Sequence, residues 1–294
     1  MKTHAQQWLF EAPFHQHSQY LGINSILESE NEWLFENPSS GLASPPLIKT
    51  ETPPLQRTLY VNIPLGGESP AKPMTGIFIP AGYRLQASID LILYLRGHHK
   101  GTPRQTIQEY WNARRFPYWA FREGVNNSGK NVILVAPTLG PASQAGRLLK
   151  PSGLDNYLNQ VLAALKAYGP YSDRSPDIGN IILACHSGGG YPMRQLATSP
   201  QQYTTRIREC WGFDCLYNTG DEQIWTKWAQ QRPGAKLYIH YGNGGTAQKS
   251  ENLRRIARNL PNIEVQGSTR LAHDRVPITH WRDRILAAPF LNMN

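Results

Sequence analysis

Short, uninterrupted apolar runs constrain this chain more than any other feature of its sequence. The runs at 91–95, 132–135 and 181–184 each hold four or five apolar residues in succession, with no charged residue among them. Strands that are buried on both faces have this composition, and such strands occur in parallel sheets that are covered by helices. The runs therefore predict an α/β domain.

Amphipathic segments separate these runs. Leu154, Leu158, Val161 and Leu165 recur at the spacing of one helix face. Alternation of strands and helices predicts one domain over residues 56–294, with a mostly parallel, twisted sheet of about eight strands and helices on both faces. The predicted strands are 58–64, 76–80, 89–95, 131–136, 181–184, 209–213, 236–241 and 263–266.

The first 55 residues differ from the rest in charge and composition. They contain two lysines and six glutamates, whereas residues 56–294 carry 28 basic and 15 acidic groups within a chain of net charge +9. The segment 37–54 is rich in Pro, Ser and Thr, which is typical of a linker. We therefore expect a flexible acidic leader over 1–55. The basic body attracts anions, but the sequence has no nucleic-acid-binding motif, so no nucleic-acid partner is predicted.

The leader repeats a short motif. Trp-Leu-Phe-Glu occurs at 8–11 and again at 33–36, a spacing of 25 residues. Two interpretations stay open: aromatic patches that pack on the body, or a duplicated linear motif through which residues 1–40 dock a protein partner. The leader resembles those of bacterial proteins associated with contractile injection systems. That resemblance implies an exported cargo protein.

The strongest local signal lies where the run at 181–184 meets Cys-His-Ser-Gly-Gly at 185–189. A buried strand that enters a glycine turn and then a helix is the setting of a nucleophile elbow. Residues two positions before and after the serine must be small. Gly189 meets that requirement, and Cys185 stands where glycine is usual. The candidate nucleophile is Ser187, and the pattern resembles the α/β-hydrolase superfamily over roughly residues 57–290.

The resemblance implies a histidine base after the last strand, and two histidines compete for that role. His273 lies on the loop that follows the strand at 263–266, whereas His280 falls inside the predicted closing helix. In the superfamily the base sits on that loop, so we favour His273 and keep His280 as the alternative.

The triad acid is harder to place. The superfamily usually carries it after the penultimate strand, but here that strand runs into Gly-Asn-Gly-Gly-Thr at 242–246, which has no carboxylate. Asp214 follows the strand before it, at the sheet edge where open α/β sheets build their sites. We therefore assign Asp214 as the acid. A structural role as a turn or helix cap is the alternative.

An oxyanion hole needs two backbone donors that face the developing negative charge. The resemblance implies Gly188, directly after the nucleophile, and the backbone of His98 in the loop after the strand at 89–95. His99, Trp119 and Tyr191 are the candidate substrate-binding residues. The aromatic and arginine-rich stretch 110–122 is expected either to wall the site or to form a helix with core aromatics and solvated arginines.

These residues predict a serine hydrolase that cleaves an ester, or less readily an amide, of a small-molecule or polymeric acyl substrate. No cofactor or metal is required. The alternatives are a non-catalytic adaptor or exported cargo that keeps this fold, and an amidase or peptidase that acts on cell-wall material. The sequence has no transmembrane run and no conventional signal peptide, and its three cysteines form no Cys-x-x-Cys pair. The expected location is the cytoplasm, or the exterior by a non-classical route.

Overall fold

The structure is a computed structural model that describes residues 43–51, 57–66, 73–98, 106–114 and 119–294. The strands within these residues are β1 Leu47–Glu51, β2 Thr58–Val61, β3 Thr75–Phe78, β4 Ser88–Leu95, β5 Ile133–Pro137, β6 Asp177–His186, β7 Ile207–Phe213, β8 Lys236–Tyr241 and β9 Ile263–Gly267. These nine strands pair into one sheet in the order β1-β2-β3-β5-β4-β6-β7-β8-β9. Strands β4 to β9 are parallel to one another, and β1, β2 and β3 pair antiparallel.

Helices cover both faces of the sheet. Those within the described residues are α1 Ile107–Tyr110, α2 Phe121–Ser128, α3 Gly153–Tyr168, α4 Gly190–Thr198, α5 Asp221–Gln231, α6 Ala247–Ile256 and α7 Val276–Ala287. Each face of the sheet has its own apolar cluster: one includes buried residues from α3 to α6, and the other includes residues from α1, α2 and α7. This arrangement explains the continuous apolar runs, since each central strand is buried on both sides.

The parallel registers bring the carboxyl ends of three strands together. Leu95 of β4 lies opposite Cys185 of β6, and His186 of β6 lies opposite Phe213 of β7. The residues that directly follow β4, β6 and β7 therefore emerge at one edge of the sheet. Ligand sites of open α/β sheets form at this edge.

All eight predicted strands are present, and β6 begins four residues earlier than predicted. The structure adds β1, which pairs antiparallel with β2. The linker interpretation is therefore wrong for residues 47–51. Both Trp-Leu-Phe-Glu motifs, with the rest of residues 1–42, lie outside the described residues.

Two further expectations concern membranes and thiols. Within the described ranges, no helix has the length and apolar character needed to cross a membrane. Cys185, Cys210 and Cys215 are buried free thiols, which agrees with the absence of a disulfide framework.

An ion pair ties β1 to the helix layer. Arg122 of α2 is 3% exposed, and its Nη1 lies 2.5 Å from Glu51 Oε2 at the end of β1. The same guanidinium donates to Thr58 Oγ1 at 3.0 Å and Tyr60 Oη at 3.2 Å. Partial burial raises the pKa of Glu51, but the hydrogen bond and charge of Arg122 outweigh it and hold that pKa below its ordinary value.

We expect Arg122→Met to lower the free energy of unfolding by about 3 kcal/mol at neutral pH, because it removes the buried cation closest to a partly buried carboxylate. Chemical denaturation measures this. Lys49→Met is the matched control: Lys49 also contacts Glu51, at 3.4 Å, but its side chain is 38% exposed, so its loss is expected to cost about 0–1 kcal/mol.

The difference between wild type and Arg122→Met depends on pH in a defined direction. A carboxylate whose pKa is lowered by folding stabilises the protein above its unfolded pKa, near 4.5 for Glu51, and this stabilisation is lost as the pH falls through the folded value. The two proteins therefore converge in stability as the pH falls from about 4.5 through the lower folded pKa of Glu51. A difference that stays constant across the acid range in which both proteins remain folded would contradict the ion-pair account.

Candidate active site

The strand–turn–helix arrangement predicted around Ser187, called the elbow below, is present at the end of β6. Ser187 directly follows this strand and opens a short 3-10 turn, Ser187–Gly189, that leads into α4. Its φ of 53° lies in the left-handed region, which is uncommon for a residue with a side chain. Strained backbone of this kind concentrates at functional sites, and here it holds the serine at the edge of the sheet.

Glycines surround the elbow because neighbouring backbone leaves no room for side chains. A Cβ on Gly189 would lie 2.2 Å from the carbonyl oxygen of Leu95, and one on Gly97 would lie 2.6 Å from Ser187 Cβ. The small residue expected two positions after the serine is thus required by contact with β4. Two positions before it, Cys185 is fully buried and contacts the thiol of Cys215.

Asp214 and His273 form a hydrogen-bonded pair beside the elbow. Asp214 follows β7 with φ 51° and is 0% exposed. Its Oδ2 accepts a hydrogen bond from His273 Nδ1 at 2.7 Å. Its Oδ1 accepts from the Thr246 hydroxyl and from the Gly242 N–H, the latter at 3.4 Å.

These contacts decide the charge of Asp214. Burial raises the pKa of the carboxyl, but hydrogen bonds from His273 and Thr246 outweigh burial and leave the pKa below its ordinary value. The carboxylate is therefore ionised at neutral pH. Thr246 and Gly242 belong to the loop after β8, where the superfamily pattern has its acid, so this loop supplies donors to a carboxylate carried by β7.

His186 is a site residue that the sequence analysis did not identify. Its Nε2 lies 3.2 Å from the carbonyl oxygen of His273, and its ring centroid lies 4.5 Å from that of His273. Burial, together with the neighbouring His273, lowers the pKa of His186 to about 3. The neutral imidazole donates its Nε2–H to the carbonyl and holds the loop that carries His273. In the sequence, only the position of His186 directly before Ser187 could have indicated that it belongs to the site.

The two candidate bases occupy different environments. His273 lies in the 3-10 turn His273–Arg275 between β9 and α7, and it lines the same cavity as Ser187. His280 lies within α7, where its ring stacks on His240 at a centroid distance of 4.2 Å. His280 is absent from the residues described around the cavity. The geometry favours His273.

A cavity of about 1180 Å³ opens above the elbow. Tyr217 reaches over Ser187: burial raises the pKa of its hydroxyl, and a hydrogen bond with Ser187 offsets part of that rise. Three predicted residues, His98, Trp119 and Tyr191, line the cavity, whereas His99 lies outside the described residues. The described lining is His98, Tyr110, Trp119, Ala142, Ser143, Gln144, Ala145, Gly146, Leu149, His186, Ser187, Gly188, Tyr191, Pro192, Cys215, Tyr217, Asn218, His273 and Asp274.

Gly188 and His98, the two residues predicted to supply oxyanion donors, are neighbours through the His98 side chain. A Cβ on Gly188 would fall 2.4 Å from His98 Nε2, so the imidazole of His98 covers the α-carbon of Gly188. Arg96 fixes the start of this loop. Its buried Nη2 donates to the Leu139 carbonyl at 2.8 Å, which links the loop after β4 to the loop after β5.

The stretch 110–122 is not one amphipathic helix. Tyr110 ends α1 and Phe121 begins α2, while Tyr110 and Trp119 stack at 5.0 Å and face the cavity. Arg122 is buried against Glu51 rather than solvated. Among the described residues, the aromatic part of the predicted wall lines the cavity, and no arginine or lysine is found in the described lining.

One group of described side chains has a spacing suitable for a metal ion. Ligand atoms of His186, His273 and Asp274 lie within 4.8 Å of one another. Each histidine already uses one ring nitrogen in a hydrogen bond, to the His273 carbonyl or to Asp214.

Gly189→Ala is expected to lower the free energy of unfolding by about 1–3 kcal/mol, because the new methyl group would press on the Leu95 carbonyl and force β4 and β6 apart. Gly245→Ala is the matched control on a nearby loop, since nothing lies within 4 Å of its Cβ position. Thermal or urea denaturation compares the two. Equal stability of both variants would show that the elbow tolerates a side chain there.

Comparison with solved structures supports this architecture. An S-formylglutathione hydrolase from Agrobacterium tumefaciens superposes with a TM-score of 0.50 at 13% identity, over 81% of this chain and 96% of that chain. A thermostable esterase superposes with a TM-score of 0.48 at 11% identity, over 78% of this chain and 61% of that chain. No protein-family model and no curated protein sequence matches the chain. The predicted architecture is confirmed: the chain has the α/β-hydrolase fold.

Proposed function

We propose that this protein is a serine hydrolase that cleaves carboxylic esters through an acyl-enzyme intermediate. The observation that carries the proposal is the buried, ionised Asp214 bonded to His273 Nδ1, at the rim of the cavity that holds Ser187 on a strained elbow. A serine hydroxyl is inert at neutral pH unless a base accepts its proton. An imidazole with an oriented tautomer beside the serine supplies that base.

The position of the proton on the His273 ring determines the proposed chemistry. Asp214 holds the proton of His273 on Nδ1, which leaves Nε2 as the acceptor for the Ser187 proton. Ser187 Oγ attacks the carbonyl carbon, and the N–H groups of Gly188 and His98 stabilise the oxyanion. The imidazolium then returns the proton to the leaving alkoxide. Water repeats the sequence and releases the acid.

The cavity favours a neutral ester. Its described lining is rich in aromatic side chains and holds no arginine or lysine that would bind a carboxylate. Its volume of about 1180 Å³ exceeds the roughly 300–1,000 Å³ of pockets that enclose drug-sized ligands, so it has room for both the acyl group and the alcohol of an ester. Esters are preferred to amides in this proposal because an alcohol leaves more easily than an amine.

Labelling with a fluorophosphonate probe tests the nucleophile and the base. Wild type is expected to label, and Ser187→Ala is expected to lose labelling and at least about 10³-fold of ester turnover while keeping its fold. His273→Ala is expected to show a loss of the same order. His280→Ala is the matched control, because this imidazole lies in α7 against His240 and away from the cavity.

Two outcomes would contradict this assignment. Labelling that survives in Ser187→Ala would mean that another group reacts. Labelling that needs His280 rather than His273 would transfer the base to α7. A folded wild type that neither labels nor hydrolyses esters of graded chain length would favour the non-catalytic alternative, a binding protein with this fold.

Asp214→Asn tests the orienting carboxylate. The amide keeps the shape of Asp214 but cannot stabilise the imidazolium and permits the wrong tautomer, so kcat is expected to fall by about 10⁴-fold. Asp274→Asn is the control: Asp274 is exposed, neighbours His273 and lines the cavity, and its loss is expected to change kcat only a few-fold. Steady-state hydrolysis of a p-nitrophenyl ester measures both. A larger loss in Asp274→Asn would reassign the acid.

A further inference from the structure

The loop after β5 carries Ser143, a residue that the proposed triad and oxyanion donors do not include. Residues 140–144 form a tight turn, in which the Gly140 N–H donates to the Gln144 carbonyl at 2.9 Å and the Ser143 N–H donates to the Gly140 carbonyl at 2.9 Å. Ser143 adopts φ 62°, in the left-handed region. An unusual backbone conformation therefore fixes the direction of this side chain.

The hydroxyl of Ser143 is buried without a partner. The residue is 3% exposed, and its Oγ makes no hydrogen bond to any described residue. Buried hydroxyl groups almost always have a partner, because leaving one unpaired costs the desolvation of the group. A hydroxyl placed only for stability would be bonded within the loop. Ser143 instead belongs to the lining of the cavity that holds Ser187, with its hydroxyl oxygen buried just beneath the cavity surface.

The Ser143 hydroxyl lies next to Gly188 of the elbow. A Cβ on Gly188 would lie 2.9 Å from Ser143 Oγ, so the hydroxyl sits over the α-carbon of the residue that follows the nucleophile. The Gly188 N–H is one of the two proposed oxyanion donors. The hydroxyl of Ser143 and the imidazole of His98 thus approach Gly188 together.

The two loops that meet there are held in fixed relation. Arg96 opens the loop that carries His98, and its guanidinium donates to the Leu139 carbonyl in the loop that carries Ser143. Thr138, at the start of the same loop, accepts from the Ile107 N–H at 2.9 Å. The hydroxyl is therefore held in a fixed position relative to Gly188 and to the loop that carries His98.

We propose that Ser143 donates a hydrogen bond to the carbonyl oxygen of the substrate as that oxygen becomes an oxyanion, and acts as a third donor beside the N–H groups of Gly188 and His98. This inference rests on the proposed ester hydrolysis. When Ser187 Oγ bonds to the carbonyl carbon, the π electrons of the C=O bond move onto the oxygen. The Ser143 proton stays on Ser143 throughout, and collapse of the intermediate restores the carbonyl and expels the alkoxide.

A donor of this kind affects rate more than binding. The hydrogen bond strengthens as charge develops on the oxygen, so it stabilises the transition state more than the bound ester. Removal of the hydroxyl is expected to lower kcat with little change in KM. A residue that only shaped the cavity would change KM.

The test compares Ser143→Ala and Ser143→Gly with wild type in hydrolysis of a p-nitrophenyl ester. Each variant is expected to lower kcat on the order of 10²-fold with KM nearly unchanged. Labelling by the fluorophosphonate probe is expected to slow in parallel, because the phosphoryl oxygen needs the same donors. Thermal denaturation is expected to show equal or higher stability, since no hydrogen bond is lost and glycine relieves the positive φ.

The paired variants separate the hydroxyl from the backbone. Wild-type kcat in both variants would overturn the proposal, and so would a loss in Ser143→Ala that Ser143→Gly restores, because the backbone would then be responsible. A rise in KM at constant kcat would also overturn it. If wild type is folded but neither labels nor hydrolyses, the proposed function itself fails, and the role of Ser143 is refuted with it.

Discussion

The close approach of β4 and β6 at their carboxyl ends is the constraint on which the rest of the site depends. Parallel pairing continues to Leu95 opposite Cys185, so the chain beyond β6 must turn away within one residue. The left-handed conformation of Ser187 provides that turn, and Gly97 and Gly189 leave space for it. Because the surrounding backbone fixes the elbow, the serine is held in place by the sheet rather than by its own hydrogen bonds.

The buried charge of Asp214 requires compensation, and two segments of the chain supply it. His273 donates to one carboxylate oxygen, and Thr246 and Gly242 of the loop after β8 donate to the other. His186 adds no charge beside them, because burial lowers its pKa to about 3, and it donates to the carbonyl of His273. That arrangement also explains how a buried carboxylate can lie after β7, since the loop after β8 contributes donors in place of a carboxylate.

Local sequence pattern was enough to predict the strands, the elbow and the helix after His273, because each depends on neighbours within about ten residues. Features that depend on distant residues were not predictable. Arg122 pairs with Glu51, which lies 71 positions away in the sequence, so the alternative in which the arginines of 110–122 are solvated is wrong for Arg122. The strand β1 is mostly exposed and polar, and only its pairing with β2 defines it. The sequence pattern did not indicate Ser143, because its proposed role depends on its positive φ and on its proximity to Gly188, which lies 45 positions away.

The chain is strongly basic, yet the described part of its cavity lining carries little charge. Of the described lining residues, the only carboxylate is Asp274, and no lysine or arginine is among them. The buried guanidiniums of Arg96, Arg122 and Arg194 instead bind a backbone carbonyl, Glu51 and Asp221. Positive charge on the remaining surface acts over distance and favours the arrival of anionic material. What the described lining itself presents to a ligand is aromatic surface and a few hydrogen-bonding groups, because these three guanidiniums are bound within the fold.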